Sequence, residues 1–293
     1  MPRSRAPKHL VLWFGLAGLA CLSGSPAAVH PGAGPAPGSA PTLAREDTLS
    51  TAVSEILVRA PRVTLDEILD RVARGEAHRD SLLRDDAFLV TMRLMRNSKS
   101  ASPTLMLETV YQVYRKRPDR VRAIKLRQYQ EHPSKNDDVR LDFGSDFGER
   151  IVNFAFRPDA RRDFSYRIVG RDVIGGHLIY RIAFRPRSVL DPSMPSGLVW
   201  IDTNEFVIVR QEVSFERSPV PALLKNVDRM VVERTRVGDL WMLSRVLMRI
   251  EMTFPIPRVG RAFDVGILFS DYQVNTGLPD SLFSKSHRAE SAQ

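Results

Sequence analysis

Few residues of this chain have types and spacings that could do chemistry. His78, His132 and His177 are imidazoles that could bind a metal or move a proton, but none has a ligand-type partner at i+4 or a second histidine nearby. Asp85-Asp86 and Asp137-Asp138 are paired carboxylates in turn contexts, where acids are normally solvated. Ser145 and Ser196-Gly197 lack the strand-to-helix elbow that exposes a serine nucleophile. Gly170 and the Gly175-Gly176 pair join two strands and open no helix, so they form no phosphate loop. The expectation is a non-enzymatic protein with no catalytic residues, no metal site and no cofactor. His177 reads as a turn residue.

The one remaining reactive group is Cys21, the only cysteine of 293 residues, so no disulfide can form within the chain. It follows Leu10–Ala20, an apolar run too short to span a bilayer, which in turn follows the cations Arg3, Arg5 and Lys8. Residues 1–28 therefore read as an export signal with a small-residue cleavage site near Ser25-Pro-Ala27. Cys21 is either the acylated cysteine of an outer-membrane anchor or is removed with the signal, leaving a periplasmic protein. Residues Gly18 and Leu19 depart from the usual residues before an acylated cysteine. The net charge of +9 includes those three N-terminal cations. The rest is spread as isolated arginines, which argues against nucleic acid and favours, mildly, an anionic membrane surface.

The elements that could position any site begin after a Pro/Gly/Ala linker, residues 29–46. One domain, residues 47–283, follows, with a polar tail over 284–293. Asp47 to Arg59 has helical spacing that Pro61 limits. Thr64-Leu-Asp-Glu67 is a capping box, after which Leu65, Ile68, Leu69 and Val72 make one apolar stripe that Gly75 is expected to end. That helix either packs on a sheet or plugs a concave one, where a ligand could replace it.

The remaining chain reads as about a dozen strands. Phe88, Val90, Met92 and Leu94 alternate in one, Val246, Met248, Ile250, Met252 and Phe254 in another, and Phe263, Val265, Ile267 and Phe269 in the last. A parity switch after Phe269 predicts a β-bulge near Ser270-Asp271. Short strands are expected over Asp137–Phe143 and Arg150–Phe156. The block Phe164–Phe215 reads as a four-strand meander, with Tyr166, Trp200 and the Gly175-Gly176 turn at the centre of a curved sheet. The fold class is mainly β (α+β): a large curved antiparallel sheet, curled by its twist into a half-open barrel, with the N-terminal helices on its concave face.

The run Tyr166 to Gly170-Arg-Asp-Val-Ile-Gly-Gly176 and Tyr180-Arg-Ile-Ala-Phe-Arg-Pro186 resembles the outer-membrane lipoprotein-sorting superfamily, the LolA/LolB-like carriers. So do Val199-Trp-Ile-Asp202, Arg210-Gln-Glu212 and the ending Phe269–Phe283. The likeness spans roughly Thr64 to Phe283 and is one of strands and turns. It implies a half-barrel with a helical lid, an apolar cavity for the acyl chains of lipids or lipoproteins, and no catalysis. The lid stripe would be Leu65, Ile68, Leu69 and Val72. The lining candidates are Phe88, Val90, Met92, Leu94, Val246, Met248, Ile250, Met252, Phe263, Val265 and Ile267. Arg93 is the candidate for the arginine that latches the lid. The expected role is an exported carrier or binding protein for acyl chains; the alternative is a membrane-surface accessory lipoprotein that keeps the fold without transporting lipid.

Overall fold

A computed structural model describes residues 63–96, 103–131, 152–188, 194–218, 221–222, 224–256 and 260–284. The export signal with Cys21, the linker, the Asp47–Arg59 helix, the strand expected over Asp137–Phe143 and the tail after residue 284 lie outside the described residues.

One antiparallel sheet takes up most of the described residues. Its strands are β1 (Asp85–Arg96), β2 (Thr104–Lys116), β3 (Arg120–Gln130), β4 (Phe164–Ile174), β5 (His177–Pro186), β6 (Ser196–Asp202), β7 (Ile208–Ser214), β8 (Leu224–Val237), β9 (Leu240–Ile256) and β10 (Gly260–Val274). Their order across the sheet is β3-β2-β1-β10-β9-β8-β7-β6-β5-β4. The sheet is not closed into a barrel, and β3 and β4 are its two edges. Every neighbouring pair but one joins strands consecutive in sequence. The exception is the seam between β1 and β10, where Asp86 faces Val274 and Arg96 faces Phe263. The predicted bulge is present in this seam: Ala87 faces Gln273 and Leu89 faces Ser270, leaving one extra residue on β10, and Asp271 has φ 54°.

The Phe164–Phe215 meander is real, but its position differs from the expectation. Strands β4 to β7 form one end of the sheet, and β9 and β8 occupy the middle. Sequence order does not show this, because strand adjacency at the seam is set by the two ends of the domain. Gly175 and Gly176, both at positive φ, make the tight β4–β5 turn, and Gly238 does the same between β8 and β9.

The helix α1 (Leu65–Leu82) starts as its capping box predicts, with the Thr64 hydroxyl accepting from the Glu67 N–H at 3.3 Å. It does not end at Gly75 but runs on to Leu82. Of the strand expected over Arg150–Phe156, the described part, residues 152–156, is not a strand either. Residues 152–160 are helical turn and bends that bury Val152, Ala155 and Phe156 against the sheet. Phe154 and Phe156 pack edge-on to Phe184, and Phe164 does the same. The Tyr166 hydroxyl donates to the Ala155 carbonyl, and burial raises its pKa well above the usual phenol value.

The two faces of the sheet have opposite chemistry. One face and α1 share a continuous apolar cluster that reaches from β2 to β4. The other carries cross-strand charge ladders. Trp200, Arg210, Glu233 and Arg245 face one another across β6 to β9, with Arg210 5.2 Å from the Trp200 ring and Glu233 paired to both arginines. On the same face Arg249 binds Asp264 at 2.7 Å.

Candidate functional site

The contact between α1 and the covered face is the candidate site, because it joins the chain's amphipathic helix to its largest apolar surface. Ile68, Leu69 and Val72 are buried at 0–3% exposure. Each contributes roughly 1.5–3 kcal/mol by leaving water. Leu65 is half-buried at the edge of the same cluster. The stripe then continues with charged residues, since Glu76 and Arg79 are each only 4% exposed.

Glu76 takes part in a buried polar lock. Its carboxylate accepts from the Ile208 N–H at 2.8 Å and from the Arg234 guanidinium at 2.7 Å and 3.0 Å. The same Arg234 nitrogen donates to the Ile208 carbonyl at 3.0 Å. Arg79 donates to the Trp241 carbonyl at 3.0 Å and pairs with Asp80. Helix α1 is thus tied to the first residues of β7 and β9 and to β8. A buried ion pair gains little net stability against its desolvation cost, but it fixes geometry, because neither charge tolerates losing its partner.

Gly75 permits the close approach. A Cβ there would lie 2.6 Å from the Phe206 carbonyl oxygen and nearer still to that of Glu205, so only glycine lets the helix rest on the β6–β7 turn. Arg71 stands 5.0 Å over the Phe206 ring, and Arg161 binds Asp70 at 2.6 Å, holding that carboxyl below the ordinary range. At the helix C-terminus, Asn275 donates to the Leu82 carbonyl and accepts from the Arg84 N–H, both at 2.8 Å.

Arg93 does not latch this helix. Its side chain is exposed on the opposite face and binds Glu108 at 2.7 Å, beside Arg127. Alternation along β1 sends Arg93 outward because Met92 and Leu94 point inward. Arg234, on the covered face of β8, is the arginine that holds α1.

The lining candidates share one cluster on the helix side. Phe88, Val90, Met92, Leu94, Val246, Met252, Phe263, Val265 and Ile267 are buried in it, while Met248 and Ile250 are half-buried at its margin. The row along β9 runs from Val246, 1% exposed, to Phe254, 72% exposed, so the apolar face extends beyond its cover. These side chains pack as a core. A small cleft among the described residues lies elsewhere, lined by Asp85, Asp86, Arg115 and Arg117.

Three residues expected to be solvated or in turns are structural anchors. Asp86 is 1% exposed and grips Arg115 with bonds of 2.9 Å and 2.5 Å, while Asp85 accepts from the Gly277 N–H at 3.1 Å. Both begin β1, so the pair is part of a strand and not of a turn. His177 begins β5 and binds the buried Asp202 at 2.7 Å, and Asp202 in turn caps the Asn204 and Glu205 N–H groups. Among the described residues no cluster of His, Cys, Asp and Glu has the arrangement of a metal centre. No helix among them is long and apolar enough to cross a membrane.

No family model matches the sequence, and no curated protein matches it. Solved structures with a similar fold include a DUF1329 family protein from Desulfovibrio piger, at 15% identity and a TM-score of 0.35 over 73% of this chain and 96% of that one. A putative outer membrane lipoprotein-sorting protein domain from Vibrio parahaemolyticus matches at 14% identity and a TM-score of 0.35, over 74% of this chain and 95% of that one. A LolA superfamily protein from Nitrosomonas europaea matches at 15% identity and a TM-score of 0.32, over 76% of this chain and 98% of that one.

Proposed function

We propose that this chain is an exported, non-catalytic binding protein or carrier for acyl chains, of lipids or lipoproteins, at the bacterial cell envelope. One observation carries the reading: helix α1 covers an apolar sheet face much broader than its own stripe, and a few local polar contacts, the buried Glu76–Arg234 pair chief among them, fix it there. A cover held by few, localised contacts can move off as a unit while the hairpin-paired sheet stays intact. Acyl chains would then reach the apolar cluster that Ile68, Leu69 and Val72 share with Met92, Met252 and Phe263. Methionine side chains adapt to flexible hydrocarbon partners.

The dense packing of the same face supports a second reading, a membrane-surface accessory lipoprotein that keeps the fold without transport. In both readings Cys21 is the candidate anchor and residues 1–28 the export signal. Protein purified without detergent from the envelope fraction should carry co-extracted acyl chains by mass spectrometry, and after delipidation should bind a fluorescent fatty acid. Lipid-free protein that binds no fatty acid would exclude the carrier. If Cys21→Ala then moved that protein from the membrane to the soluble periplasm, the accessory reading would stand.

A further inference from the structure

Gln211, in the middle of β7, is 0% exposed, and among the described residues neither its amide nitrogen nor its amide oxygen has a hydrogen-bond partner. It faces Val199 on β6 and Val232 on β8, both of the apolar cluster that also holds Ile68, Leu69 and Val72 of α1. Directly opposed residues of an antiparallel pair share a face, so this amide stands on the helix-covered side. It is three residues along β7 from Ile208, where Glu76 locks the helix. Thr109, also 0% exposed, places a second unpartnered oxygen on the same face of β2, opposite Met92.

A buried amide with both ends unmet destabilises the protein, since it has lost its water and gained nothing in exchange. A plain hydrocarbon would leave that deficit in place, and an ester would meet only the N–H side, because it has no donor. A carboxamide carries an N–H donor and a carbonyl acceptor on one carbon, so it can also offer the glutamine oxygen the donor that an ester lacks. We infer that Gln211 is the polar recognition point of the covered face, and that it selects acyl ligands joined through an amide over those joined through an ester. The inference rests on the acyl-binding reading above and adds the ligand's linkage to it.

The test uses the full mature chain and two probes of equal length, N-methyldodecanamide and methyl dodecanoate, each displacing a fluorescent fatty acid. The wild-type protein should bind the amide roughly fivefold to tenfold more tightly, the factor expected of one additional net hydrogen bond. Gln211→Met, similar in length and without polar hydrogens, should bring the two probes to equal affinity, chiefly by weakening the amide, and raise the melting temperature of the unliganded protein. Equal wild-type affinities for both probes would overturn the inference whether or not the variant folds. So would a Gln211→Met protein that keeps its amide preference or melts earlier, since an internal water would then be satisfying the side chain. Failure of both probes and of the fatty acid to bind would instead remove the carrier reading itself.

Discussion

Two buried carboxylate–guanidinium pairs lie near the start of β1 and the last residues of β8, and the difference between them separates fold from function. Asp86–Arg115 joins neighbouring strands β1 and β2 beside the seam, with the Arg115 guanidinium also 4.8 Å over the Phe88 ring. Glu76–Arg234 joins a helix to the sheet, with no backbone ladder between the two elements. The first pair sits inside a lattice of main-chain hydrogen bonds. The second is the main directional tie across an otherwise greasy contact. Similar chemistry therefore has different consequences: loss of the first should damage the whole domain, whereas loss of the second should free one element.

The largest effect is expected at the strand pair. Asp86→Ala leaves Arg115 charged and buried, a loss of about 3–5 kcal/mol, visible as a lower urea midpoint for the entire transition. If only local protection near β1 changed, the contrast between the pairs would fail. Glu76→Gln keeps an oxygen for the Ile208 N–H but removes the charge facing Arg234, at a cost of roughly 1.5–3 kcal/mol. Hydrogen exchange should then quicken across Leu65–Leu82 while β8 and β9 stay protected, and fatty-acid uptake should be faster. Uniform quickening over helix and strands would put both pairs in the same class.

Gly75→Ala comes next. The added methyl meets two backbone carbonyls of the β6–β7 turn, so overpacking of about 1–3 kcal/mol should outweigh the roughly 1 kcal/mol gain in helix propensity. A melting temperature above wild type would show that the helix already rides loosely on the turn. The smallest effect belongs to the outer face. Burial pulls the Glu212 carboxyl up, but hydrogen bonds from Arg210 and Arg229 outweigh it and leave the group below its ordinary value. A lowered folded-state pKa contributes stability above the unfolded value and loses it as pH falls through the folded one. Glu212→Gln should therefore flatten the acid limb of stability against pH by a few tenths of a kcal/mol, after discount for solvent screening. No change on that limb would mean that the outer ladders serve solubility alone.

Much of the fold was legible in the sequence because local rules set it. The Thr64 capping box, the glycine turns and the alternation through Val246 and Phe263 each predict a feature that the structure contains. Residues 152–156 misled because a short apolar run has no length to separate a strand from a turn that buries the same side chains. The meander's place in the sheet could not be read, since only the β1–β10 pairing decides it.

The polar lock was missed for a different reason. Glu76 and Arg79 follow Val72 at stripe spacing, and Arg234 shares the parity of Met230 and Val232. Ending the helix at Gly75 cut that pattern just before its charged part. Reading the glycine as a point of close approach would have carried the stripe on to both charges. Gln211 carried a similar signal, a polar residue at the parity of Val213, and only burial without a partner gives it meaning.

The seam between β1 and β10 also has a mechanical side. The two strands run antiparallel, and the chain enters β1 at Asp85 and leaves β10 at Val274, at the same end of the ladder. A pull applied between the chain before β1 and the chain after β10 would load the rungs one at a time, starting at Asp86–Val274, as a zipper opens. The Asn275 side chain and the Asp85 carboxylate brace that first rung, through Arg84 and Gly277. Tension between the chain ahead of β1 and anything gripping the chain after β10 would thus open the sheet at this internal seam before either edge.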